Sequence, residues 1–103
     1  MRIALLTSSD VAWPAQLART WAGDGDRVTL VLLDGASAAA RSGHADAAAV
    51  SAVADEGVAV LVHDGALRRR GITTTALAEG VRPVDLDVVA DLVGDGADRV
   101  IWL

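Results

Sequence analysis

Three observations predict a three-layer α/β/α protein with a mainly parallel sheet of four to five strands. Short runs that are apolar on both faces recur at Arg2–Thr7, 28–33, 58–62 and 100–103, as strands covered by helices on both sides require. Apolar residues at three- and four-residue steps, the helical period, lie between them. Glycine and aspartate punctuate the junctions, at 23–26, 34–35, 64–65 and 94–96. Strand and helix therefore alternate, which implies right-handed crossovers and a flavodoxin/Rossmann-like sheet sandwiched by helices.

The elements follow in order. After the first strand, Ser8, Ser9 and Asp10 are N-cap candidates for a helix in which Pro14 is acceptable in the first turn. Trp13, Leu17 and Trp21 give that helix an apolar stripe, and Gly23-Asp24-Gly25-Asp26 stops it. Asp34-Gly35 ends the second strand, and 36–43 is small and polar enough to be a loop. A second helix is predicted over 44–56, with Ala47, Val50, Val53 and Ala54 inward. The third strand runs directly into His63-Asp64-Gly65, and 66–70 reads as a short helix halted by Gly71. Residues 73–79 suggest another turn or two of helix, and 81–84 a short extended piece. Asp85 caps a helix that directs Leu86, Val89, Ala90 and Val93 inward, before a last strand at 100–103. With no linker or repeat, residues 1–103 are expected to form a single domain.

Composition excludes several function classes. Hydrophobic residues make up 52% of the chain, enough for a core without disulfides or metal. A net charge of −5 argues against a nucleic-acid footprint and against an anionic membrane surface. The apolar run 3–6 is too short for a signal-peptide core or a membrane span, so a cytoplasmic protein is expected. The absence of cysteine excludes thiolate nucleophiles, persulfides and cysteine metal sites. All nine basic residues are arginine, which excludes Schiff-base chemistry, pyridoxal-phosphate attachment and a phosphate-loop lysine. The Gly-Asp stretches lack the ligand series of a calcium loop, and His44, Asp46 and His63 are too few and scattered for zinc. No cofactor and no metal are expected. Richness in Ala, Arg, Asp, Gly and Val suggests a GC-rich bacterial genome.

Candidate site residues come from geometry. If the first three strands run the same way, Ser8, Asp34 and His63 emerge at one edge of the sheet, where ligands of open α/β folds bind. The candidate ligand-binding set is Ser8, Ser9, Asp34, His63, Asp64 and Gly65, with His63 the candidate catalytic residue, as general acid/base or hydrogen-bond donor. Turn and cap chemistry is the structural alternative for each of them. Of Arg68, Arg69 and Arg70, one is expected to pair with an acid and the others to be solvated. Trp13 and Trp102 fit either the core or an interface.

Three segments carry a family resemblance: Ala22-Gly23-Asp24-Gly25-Asp26-Arg27-Val28, Val60-Leu61-Val62-His63-Asp64-Gly65-Ala66-Leu67-Arg68-Arg69-Arg70-Gly71-Ile72, and Ala97-Asp98-Arg99-Val100-Ile101. In this order and spacing they resemble the DsrE/DsrF-like family, which includes the TusBCD sulfur-relay proteins. That family typically has an apolar strand, a cysteine, small residues, then Arg-Arg-Gly and an aliphatic residue. Counting back from Gly71 puts His63 where the sulfur-carrying members have the cysteine. The resemblance implies the fold and the oligomeric habit but not the relay chemistry, because imidazole cannot replace a thiolate. Cysteine-free members serve as structural partners in trimers or hexamers. The chain is thus expected to be a non-catalytic assembly or interaction subunit, as a homo-oligomer or with a related subunit, linked to sulfur transfer through a cysteine-bearing partner. The alternative is a small-ligand-binding protein or enzyme using a His63/Asp64 pocket.

Overall fold

A computed structural model describes residues 1–103. Five strands form one all-parallel sheet: β1 (Arg2–Thr7), β2 (Arg27–Leu32), β3 (Ala59–His63), β4 (Val81–Val84) and β5 (Arg99–Trp102). Their spatial order is β4-β3-β2-β1-β5. The chain steps outward from β1 to β4 through helices α1 (Ala12–Gly23), α2 (Ala47–Asp55) and α3 (Asp64–Arg69), and then returns through α4 (Leu86–Asp91) to lay β5 beside β1.

The two faces of the sheet are covered unequally. On the first face, Leu5, Leu30, Leu32, Val60 and Val62 pack against Ala15 and Ala18 of α1, Val50 and Val53 of α2, and Leu67 of α3. The second face buries Ala4, Leu6, Val31, Leu33, Leu61 and Val84, with Val89 as the one fully buried α4 side chain. The pleat sends alternate residues of every strand to opposite faces, so apolar strands with two covered faces follow directly. Right-handed crossovers then put the reversed β4–β5 connection on the face opposite the other three.

Several sequence expectations are corrected. Helix α1 begins at Ala12 without a side-chain cap, so Ser8, Ser9 and Asp10 are not its N-cap. Its inward residues are Pro14, Ala15 and Ala18, whereas Trp13 is exposed and Leu17 and Trp21 lie at the margin. Small alanines let the helix approach the sheet, and the bulky indoles are displaced to its flanks. The expected loop after β2 is a 3-10 helix, Asp34–Ala40, with Ala36, Ser37, Ala39 and Ala40 buried. The Ser37 hydroxyl donates to the Asp34 carbonyl at 2.6 Å, which supplies the hydrogen bond its burial demands. Asp85 does cap α4, accepting from the Val88 N–H at 3.0 Å. After α4 the turn widens into a π-helix over Leu92–Gly96. Leu92, three residues on from Val89 and so on the same helix face, packs on the sheet, and this narrow stripe leaves Leu86, Ala90 and Val93, expected inside, exposed.

Candidate functional site

Parallel strands bring the predicted residues to one edge. Ser8 follows β1, Asp34 follows β2, and His63 ends β3, with Asp64 and Gly65 opening α3. After β3 the chain departs over the first face, and after β4 it departs over the second. The strand order reverses at β1, so the topological switch point of the sheet lies at the carboxyl ends of β1 and β5, beside Ser8 rather than His63.

The local geometry at His63 depends on Gly65. A Cβ at Gly65 would lie 2.9 Å from Cε1 and 3.0 Å from Nε2 of His63, and 3.7 Å from the Arg68 guanidinium. The imidazole thus occupies the space that a side chain at position 65 would fill. His63 sits at the N-cap position of α3 but makes no side-chain cap hydrogen bond, and it is partly exposed. Asp64 lies within the first turn and pairs with Arg68 at 3.4 Å, one helical turn away.

The rest of the edge is joined by polar contacts. The Trp102 indole N–H donates to Ser8 Oγ at 3.3 Å, and the Ser8 carbonyl accepts from the Ala36 N–H at 3.0 Å. Asp34 pairs with Arg69 at 3.6 Å and has a positive φ of 43°, which aspartate tolerates better than most residues. Ser9 is exposed at the loop tip. Both carboxylates of the predicted set therefore form surface ion pairs with arginines. The arginine cluster is more engaged than expected, since Arg70 Nη1 also donates to the Ala66 carbonyl at 3.1 Å. The Asp64–Arg68 pair was legible as an i,i+4 spacing, whereas the Asp34–Arg69 pair joins two separate elements and has no local signal.

Two cavities open on the surface, and one of them lies beside this edge. One of about 440 Å³ is bounded by Asp64, Arg68, Ile72, Thr73, Thr74 and Pro83, between α3 and β4. It contains Asp64 but not Ser8, Ser9, Asp34 or His63. A second, of about 480 Å³, is a groove between α1 and α2 floored by alanines, where Arg19 and Glu56 are bonded at 2.8 Å.

No protein-family model and no curated protein sequence matches the chain. Solved structures do. The ychN protein from E. coli superimposes with a TM-score of 0.85 at 19% identity over 100% of both chains. The protein of unknown function MTH1491 from Methanobacterium thermoautotrophicum gives 0.80 at 18% identity, over 99% of this chain and 98% of that one. The protein of unknown function BT1422 from Bacteroides thetaiotaomicron gives 0.82 at 9%, over 99% and 94%. The chain shares their fold.

Proposed function

We propose that this chain is a cysteine-free, DsrE/DsrF-like assembly or interaction subunit of the cytoplasm. It is non-catalytic and is linked to sulfur transfer only through a cysteine-bearing partner. The observation that carries this reading is the exposed apolar surface: Trp102 is 64% exposed, Leu86 59% and Trp13 55%. Large aromatic and aliphatic side chains left in water on so small a chain are characteristic of surfaces that meet a partner. The sequence resemblance supplies the family, and the shared fold is consistent with it. His63 then stands at the reactive position of the sulfur carriers, where it presents a surface and transfers nothing. A trimer or hexamer, or a mixed assembly with a related subunit, is the expected state. Light scattering at micromolar concentration should give a mass several times that of one chain. A single-chain mass across a wide concentration range would overturn the assembly reading.

The cavity beside Asp64 favours a second reading, a small polar ligand bound near His63. Its volume is in the range of small-molecule sites, and Arg68 with two threonine hydroxyls offers donors above a floor that includes Ile72 and Pro83. Under this reading a panel of small carboxylates and phosphates raises the melting temperature, and Arg68→Ala abolishes the rise. No stabilisation by any member of the panel would remove it.

A further inference from the structure

The two edges of the sheet are built differently. β4 carries Pro83, which has no N–H, beside the exposed Arg82, and both features keep an edge strand from pairing. β5 has no such guard at its centre. The Leu103 N–H donates to the Leu6 carbonyl, and Leu5 is the register partner of Ile101. By the two-residue period of a strand, Ile101 therefore turns its backbone polar groups toward β1, and Val100 and Trp102 turn theirs to the open edge. Their side chains leave the second face, because their register partners Ala4 and Leu6 lie in that cluster. Val100 is 38% and Trp102 64% exposed.

From this we infer that β5 is a self-pairing interface, joining two copies of the chain as antiparallel neighbours about a two-fold axis at Ile101. This inference rests on the assembly reading above and specifies its contact. The strand is self-complementary in that register. Val100 of each copy lies opposite Trp102 of the other, so both outward residues exchange backbone hydrogen bonds. The same pairing sets a β-branched side chain against an aromatic one on the second face, a favourable cross-strand combination. Arg99 falls opposite the apolar Leu103 of the other copy, about 13 Å along the strand from the second Arg99, so no like charges oppose each other. Leu86, Val88 and Val93 of the thin α4 layer are also exposed on that side of the sheet. An isologous contact of this kind fits an even-numbered assembly, such as the hexamer of the pair proposed above.

The test uses the absence of native cysteine. On the axis, Ile101 meets its own counterpart as a non-hydrogen-bonded pair with Cα atoms about 4.5 Å apart, within disulfide reach. Under mild oxidation Ile101→Cys should become a covalent dimer, while Arg82→Cys on the guarded β4 edge stays monomeric on a denaturing gel. Trp102→Glu should reduce the mass in light scattering at least twofold while the far-UV circular dichroism of the folded chain is retained. A wild-type chain that is monomeric sinks both this inference and the assembly reading. An oligomeric wild type in which Ile101→Cys does not cross-link and Trp102→Glu keeps its mass sinks only the β5 interface.

Discussion

His63 shows how a single position constrains its neighbours. The imidazole lies where a Gly65 side chain would stand, so the glycine is the structural counterpart of the histidine. Nothing in the local sequence marks this dependence, since Gly65 reads equally well as a turn residue. Gly80 gives a sharper case. Its φ of +87° is one that side chains rarely adopt, and a Cβ there would lie 2.7 Å from Ala54 Cβ. That methyl group is fixed on α2 and cannot rotate away. Gly80→Ala should therefore cost about 1–3 kcal/mol in urea unfolding, against near-neutrality for a glycine free of both constraints. A change below about 0.5 kcal/mol would show that the β4 turn relaxes independently of α2.

Among the elements, β5 depends on a pairing at its lower end. Asp98 accepts from the Arg2 guanidinium at 3.1 Å and from the Arg2 backbone N–H at 2.8 Å, fastening the approach to β5 onto β1. The side-chain bond from Arg2 is the main cause that holds the Asp98 carboxyl below its ordinary value, with the backbone N–H contributing next. The same bond raises the Arg2 guanidinium further above its ordinary value. A carboxyl with a lowered folded pKa stabilises the fold fully above its unfolded value of about 3.9 and loses that contribution as pH falls through the lowered one. Asp98→Asn should therefore melt below wild type at pH 7, and the two should converge as pH drops beneath the ordinary carboxylate range. Because the pair is exposed, the gap should also narrow in high salt. An unchanged gap at pH 7 and at strongly acidic pH would mean that Asp98 acts through shape rather than charge.

Across the full chain, the first face holds three helices and most of the buried side chains, while the second relies on a six-residue helix and one π turn. This asymmetry concentrates exposed apolar residues on α4 and β5, where the proposed assembly draws its contacts. Each copy carries a net charge of −5, so association brings like-charged bodies together. Added salt screens that repulsion, and the light-scattering mass should rise with ionic strength at fixed protein concentration. No helix is long and apolar enough to cross a membrane.

The parallel α/β class, the strands and the common edge of Ser8, Asp34 and His63 were legible in the residues. Two-sided apolar runs and helical periodicity are local properties, and right-handed crossovers convert their order into a topology. What remained hidden was every relation between distant elements. The Asp34–Arg69 pair, the Trp102–Ser8 hydrogen bond and the seat of His63 on Gly65 depend on three-dimensional approach. Periodicity also misplaced the inward faces of α1 and α4. On α1, close packing against the sheet selected alanines over indoles, and on the six-residue α4 only the narrow stripe of Val89 and Leu92 turns inward. Local pattern identifies which segments can bury a face. Only packing among the assembled layers decides which residues of that face are enclosed and which stay in water.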